Sequence, residues 1–214
     1  MRILVVSATS QETDSIGARL RDFPQHRIDL LVTGVGMVAT AARCAQALTR
    51  ERYDLALNLG VCGSFDRTLA PAAVVHVVTD RIAELGAENG EEFLTIQQIG
   101  LLGENEFPFT GGRLVNASPP VNAALRPLPC VDGITVNTVH GNARAIAAIA
   151  SRFSPQVESM EGAAFMYCCL IHRVAFAQVR AVSNVVETRN REAWKMADAI
   201  DGLGRTALSI LQHA

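Results

Sequence analysis

Arg2-Ile3-Leu4-Val5-Val6-Ser7-Ala8, running straight into Thr9-Ser10-Gln11-Glu12, is the stretch that decides how the chain reads. A short, unbroken apolar run followed by small polar residues is a strand that ends in a loop. The loop then delivers an acid. A carboxylate at the mouth of a buried run is costly unless it is paired or used, so Glu12 is a candidate for chemistry. Glu161 is a second. It opens Met160-Glu161-Gly162-Ala163-Ala164-Phe165-Met166-Tyr167-Cys168-Cys169-Leu170-Ile171, in which no other charge occurs.

The same alternation continues outward. Strands are expected at 2–8, 28–33, 54–60, 73–79, 134–137 and 174–182, and helices at 11–22, 37–51, 142–152, 161–172 and 192–213. Short apolar runs interleaved with helical patterns imply an α/β fold built on a largely parallel sheet. Residues 84–120 break the rhythm with Gly, Glu, Asn and Pro around Phe93, Phe107 and Phe109. A loop of that length is expected to be functional or to lie at a subunit contact. With 214 residues, 49% of them hydrophobic, the chain is expected to form a single domain, 1–214, with a sizeable core.

Composition excludes several classes. The formal charge is −2 and no Lys/Arg run exists, so nucleic-acid binding has no electrostatic footprint. No apolar stretch reaches the roughly 18 residues of a membrane span, and no signal-peptide pattern opens the chain. Cys44, Cys62, Cys130, Cys168 and Cys169 form an odd set without C-x-x-C spacing. That implies neither a disulfide framework nor a zinc site, and it fits a cytoplasmic protein.

In open α/β sheets, ligands sit at the carboxyl ends of strands, which directs attention to the polar residues there. Several carry a bland reading beside the functional one. Thr9-Ser10-Gln11-Glu12 fits a capping box, in which Glu12 closes a helix turn instead of serving as a base. Asn184-Val185-Val186-Glu187 could be a cap with its partner. Gly34-Val35-Gly36-Met37-Val38-Ala39 looks like a dinucleotide fingerprint, but the next strand ends Asn58-Leu59-Gly60 without the acid that would grip a ribose. A tight turn explains those glycines as well. Glu161 gains from a helix N-terminus, yet its apolar surroundings favour a functional role. Arg180 could pair with Glu161 or Glu158. His140 reads as a hydrogen-bonded turn residue, Trp194 as a core residue of an amphipathic helix, and Cys168-Cys169 as packing.

Taken together, Glu12, Gly34-Val35-Gly36, Gly60-Val61-Cys62-Gly63, Val157-Glu158-Ser159-Met160-Glu161-Gly162-Ala163-Ala164 and Arg180-Ala181-Val182-Ser183-Asn184 resemble the purine nucleoside phosphorylase/nucleosidase superfamily over almost the whole chain. Residues 84–93, 135–142 and 183–194 are similar to a subfamily that releases hypoxanthine from a nucleoside of menaquinone biosynthesis. The resemblance implies a three-layer αβα sandwich around a mixed, partly closed sheet, and a homodimer or larger homo-oligomer. Phe107-Pro108-Phe109 is the candidate for completing a neighbour's site. It implies a small-molecule nucleoside as substrate, no metal and no cofactor.

The residue roles follow the chemistry of a purine N-glycosidic bond, which breaks through an oxocarbenium-like sugar. The resemblance makes Glu12 the base that activates water and Glu161 the acceptor of ribose hydroxyls. Met160 would lie under the sugar. Val35, Val61, Cys62, Gly63, Val139, Ser183 and Arg180 would complete substrate binding. Related adenine-releasing nucleosidases carry an aspartate at the position of Asn184. An amide cannot protonate N7, but it can donate to O6 of a 6-oxopurine. Hydrolysis is preferred to phosphorolysis, because Glu12 would repel phosphate. Two alternatives stay open: an adenine-releasing nucleosidase, and a non-catalytic nucleotide-binding module using the Gly34-Val35-Gly36 turn.

Overall fold

The computed structural model describes residues 1–214. Its strands are β1 (Arg2–Ser7), β2 (Arg27–Val32), β3 (Leu55–Ser64), β4 (Val74–Asp80), β5 (Gly86–Asn89), β6 (Glu92–Thr95), β7 (Phe109–Thr110), β8 (Arg113–Val115), β9 (Cys130–Thr135), β10 (Val157–Ser159) and β11 (Phe176–Val185). The helices are α1 (Asp14–Gly17), α2 (Met37–Arg50), α3 (Ala143–Phe153), α4 (Gly162–His172) and α5 (Met196–Gln212). No helix is long and apolar enough to cross a membrane.

Nine strands form one mixed sheet in the order β2-β1-β3-β10-β9-β4-β8-β7, with β11 bridging β3 and β4. That bridge closes β3, β10, β9, β4 and β11 into a ring. The pairings β1 with β2 and β3, β3 with β11, and β9 with β4 and β10 are parallel. Those of β3 with β10 and of β4 with β11 are antiparallel. A cluster of Cys62, Val75, Val77, Val131, Val157 and Val182 draws on all five ring strands and fills its closed part.

The period-2 alternation of β1 explains its unbroken apolar run. Ile3 and Val5 face α5 with Leu57, Val179, Leu203 and Ile210, whereas Leu4 and Val6 face α2 and α4 with Cys44, Phe165 and Cys169. Both faces are covered, so both must be apolar. The sheet thus lies between α5 on one side and α2 and α4 on the other. The vicinal Cys168-Cys169 packs as expected in the α2–α4 layer.

Several expectations are corrected. The helix read at 11–22 is three short pieces, a turn of 3-10 helix at Ser10–Glu12, α1, and a second 3-10 turn at Leu20–Asp22. Gly17 and the absence of a sustained apolar stripe leave it unable to propagate. The 192–213 helix begins only at Met196, after a 3-10 turn at Arg191–Ala193, which removes Trp194 from the helix. The expected strand at 134–137 lies at Cys130–Thr135. β10 is not among the expected strands, since three residues give no periodicity to detect. The 84–120 segment is not structureless. It carries the β5–β6 hairpin and the β7–β8 edge of the main sheet.

Candidate active site

The carboxyl ends of β1, β3, β10 and β11 meet around a cavity of about 360 Å³, a size suited to a small ligand. Glu12, Val35, Val61, Cys62, Gly63, Val139, Met160, Glu161, Ser183 and Asn184, drawn from separate parts of the chain, all line it.

Glu12 closes the expected capping box and also lines the cavity. Its Oε2 accepts from the Thr9 backbone N–H at 2.8 Å and from Thr9 Oγ1 at 3.1 Å, closing the 3-10 turn. Its Oε1 accepts from the Val61 N–H at 3.3 Å. Oε2 thus takes two hydrogen bonds and Oε1 one, which fixes the side chain and leaves Oε1 a free acceptor position.

Glu161 stands just before α4 but does not cap it; the Gly162 N–H is satisfied by Ser159 Oγ at 3.3 Å. Its Oε1 accepts from the Gly36 N–H at 2.9 Å, and Oε2 lies 3.8 Å from Arg180 Nη1. The glycine-rich turn therefore has an assigned task within the chain. Gly34 and Gly36 adopt φ of +89° and +97°, a left-handed geometry that side chains resist, and this aims the Gly36 N–H at Glu161.

Arg180 was expected to touch substrate, but it does not line the cavity. It is 1% exposed and lies beneath the floor. It donates to Asn58 Oδ1 at 2.5 Å and to Gln178 Oε1 at 3.1 Å. Its Cζ and Glu12 Oε1 fall 3.2 and 3.1 Å from where a side chain on Gly60 would begin. The cation thus lies beside Glu161, and the absent Cβ of Gly60 makes room for it. The pairing reduces the cost of burying Glu161.

The polar chain continues below. Gln178 Nε2 donates to Asp80 Oδ2 at 3.0 Å, and Thr135 Oγ1 donates to Asp80 Oδ1 at 2.9 Å. Burial raises the Asp80 carboxyl to about 6 against these hydrogen bonds. This network was not anticipated. Its signal was present in Asp80, Gln178 and Arg180, three polar residues within otherwise apolar strands.

Asn184 is a strand residue of β11, not a cap. Its Nδ2 donates to the Val185 carbonyl at 2.9 Å and its Oδ1 accepts from Ser183 Oγ at 2.8 Å. One N–H and one lone pair are left for a ligand. Cys62 beside it is a neutral thiol, pushed up to about 12 by burial.

Further residues line the cavity that the sequence reading had placed elsewhere or left open. Trp194 is half-buried in the wall instead of the core, with the Arg189 guanidinium 5.5 Å from its ring. His140 and Glu158 also line it, joined by a 2.6 Å contact between His140 Nδ1 and Glu158 Oε2. Glu158 therefore pairs with His140, while Arg180 pairs with Glu161. Phe107 and Phe109 do not reach the cavity; Phe107 is exposed and Phe109 packs on Tyr167. No group of three or more His, Cys, Asp or Glu side chains is arranged to hold a metal ion.

Comparison with known proteins agrees with this architecture. The family model described as the Phosphorylase superfamily matches residues 19–212. The chain is 33% identical to a futalosine hydrolase of Streptomyces coelicolor, across 97% of this chain and 95% of that protein. A futalosine hydrolase mutant of Helicobacter pylori superposes with a TM-score of 0.80 at 13% identity, covering 99% of each chain. A 5′-methylthioadenosine/S-adenosylhomocysteine nucleosidase from Colwellia psychrerythraea, in complex with adenine, superposes with a TM-score of 0.77 at 17% identity. It covers 99% of this chain and 95% of its own.

Proposed function

Because the chain belongs to the Phosphorylase superfamily, we propose that its cavity hydrolyses futalosine, releasing hypoxanthine and dehypoxanthine futalosine as in menaquinone biosynthesis. The enzyme is an N-glycosidic bond hydrolase. One observation carries the reading: Glu12, Glu161 and Asn184, from three distant stretches, line a single nucleoside-sized cavity.

Glu12 Oε1 orients water and takes its proton as the base departs. Glu161 is held at both oxygens, by Gly36 and Arg180. It accepts from the ribose hydroxyls, and those bonds tighten as the ring gains positive charge. Met160 lies beside it as an apolar surface for the sugar. Two carboxylates against one guanidinium leave the sugar subsite net negative, which favours an oxocarbenium-like transition state and disfavours phosphate. Asn184 meets O6 and N7 of the leaving base with its free N–H and lone pair, and cannot supply a proton. Val35, Val61, Cys62, Gly63, Val139 and Ser183 shape the remaining walls. Arg189 and Trp194, which also line the cavity, are the candidates for contacting the 5′ substituent.

A homodimer or larger homo-oligomer belongs to the same proposal. Val35, Val38 and Phe107, 58%, 82% and 67% exposed, are apolar side chains a second copy would cover. A monomer in equilibrium sedimentation would overturn that part.

Purified protein and futalosine in phosphate-free buffer should yield hypoxanthine, read by chromatography. Adenine release from methylthioadenosine at a comparable rate would instead favour the adenine-releasing reading. No turnover of either substrate would overturn the proposal.

A further inference from the structure

Glu158, Gly63 and Asn184 form one row across three neighbouring strands. Glu158 of β10 pairs with Gly63 of β3 on one side, and Asn184 of β11 pairs with Gly63 on the other. Residues paired in register share a face of the sheet. At about 4.8 Å between strands, the outer two α-carbons stand roughly 10 Å apart. A side chain on Gly63 would begin 2.8 Å from Val186 Cγ2, 3.5 Å from Asn184 Nδ2 and 3.6 Å from Glu158 Cγ. Asn184 and Glu158 thus flank a slot in the cavity wall, floored by Gly63 and the Val186 methyl, on which a flat ring could rest.

Glu158 is 3% exposed and lies in the cavity wall. His140 holds it twice: the backbone N–H donates to Oε1 at 3.0 Å, and Nδ1 contacts Oε2 at 2.6 Å. An ionised carboxylate has about four acceptor positions, of which two are filled here. Arg180, beneath the floor, is committed to Glu161, Gln178 and Asn58. Glu158 therefore retains acceptor capacity inside the cavity. It also consumes the His140 N–H, a donor that this wall would otherwise offer.

From this geometry we infer that Glu158 is a specificity-determining residue that accepts a hydrogen bond from N1–H of a 6-oxopurine. The inference rests on the hypoxanthine-releasing reading and deepens it. Hypoxanthine presents an acceptor at O6 beside a donor at N1. Adenine presents the reverse, an amino donor beside a bare N1 lone pair. Asn184 on one side of the slot suits O6 and N7, and Glu158 on the other suits N1–H. Adenine would set its N1 lone pair against a carboxylate and leave both unpaired, a mismatch that polar sites reject strongly. Asn184 alone does not discriminate this way, because its amide can donate or accept. His140 acts as a positioning residue through Glu158.

Calorimetric titration of the intact protein with hypoxanthine, 1-methylhypoxanthine and adenine tests this. Hypoxanthine should bind, and replacing N1–H by N1-methyl should weaken binding by about 10- to 100-fold, the worth of a hydrogen bond to a charged group. Glu158→Ala makes room for the methyl group, so in that variant most of the penalty should vanish. His140→Gln, whose amide can still donate to Glu158, should preserve the preference, and His140→Leu should lose it. Equal binding of hypoxanthine and 1-methylhypoxanthine by the wild type would overturn the inference and leave the function standing. So would an undiminished penalty in Glu158→Ala. Absence of any hypoxanthine binding would overturn the function and the inference together. The wild-type comparison needs no variant to fold.

Discussion

Gly60→Ala is a small change whose effect can be worked from the structure. The new methyl would overlap Arg180 Nη1 outright and lie 3.2 Å from Arg180 Cζ and 3.1 Å from Glu12 Oε1. Nothing there can yield freely. Arg180 is 1% exposed, and its other nitrogens are held by Asn58 and Gln178. Glu12 is tied to Thr9. Overpacking of this kind costs about 1–3 kcal/mol. For a chain of this size, 2 kcal/mol corresponds to a fall in Tm of about 4–8 °C. The catalytic loss should be larger in proportion, since the methyl presses both on Glu12 Oε1 and on the guanidinium that pairs with Glu161. Shifting reactive groups by an ångström can cost about 100-fold. Steady-state hypoxanthine release, per mole of folded protein, and a melting curve together read both effects. A Gly60→Ala protein with wild-type turnover would refute the reasoning. It would mean that Arg180 can move without disturbing Glu12 or Glu161.

Three other outcomes are expected. Glu12→Gln and Glu161→Gln should each lower kcat by about 100-fold or more in steady-state assays, on the scale of a lost general base or of lost transition-state stabilisation. Asn184→Asp should erode the preference for hypoxanthine-releasing over adenine-releasing substrates by about 10-fold or more, because a carboxylate facing O6 repels it; parallel kcat/KM values for the two substrate types check this. Asp80 governs a pH effect on stability. Its folded carboxyl sits at about 6, above the ordinary 3.8, so the folded state holds its proton more tightly. The resulting stabilisation is full below the ordinary value and is lost as pH rises through about 6, by roughly 2–3 kcal/mol. Urea midpoints across that window should show the decline in the wild type and not in Asp80→Asn.

The sequence exposed whatever rests on local pattern. β1 follows from an unbroken apolar run, β2 and β4 from apolar runs broken only by Asp29 and His76, α2 from its amphipathic spacing, and Glu12 and Glu161 from acids at the edges of apolar stretches. Asn184 was found through resemblance, since its own surroundings fit a helix cap equally well. What stayed hidden depends on register between distant strands. The row Glu158–Gly63–Asn184 exists only once β10 and β11 flank β3, and β10 is too short to announce itself. Arg180 was placed in contact with substrate because a strand-end arginine carries no sign of the depth at which it sits. Trp194 was assigned to the core because periodicity extends α5 back over it, although the helix begins two residues later.

The most direct test of the central claim is a turnover of futalosine in oxygen-18 water, without phosphate, by wild-type and Glu12→Gln protein. The account predicts hypoxanthine release with the heavy oxygen on the anomeric carbon of the sugar product, and a rate in Glu12→Gln lower by about 100-fold or more. Strict dependence on phosphate, or an undiminished rate in Glu12→Gln, would contradict it.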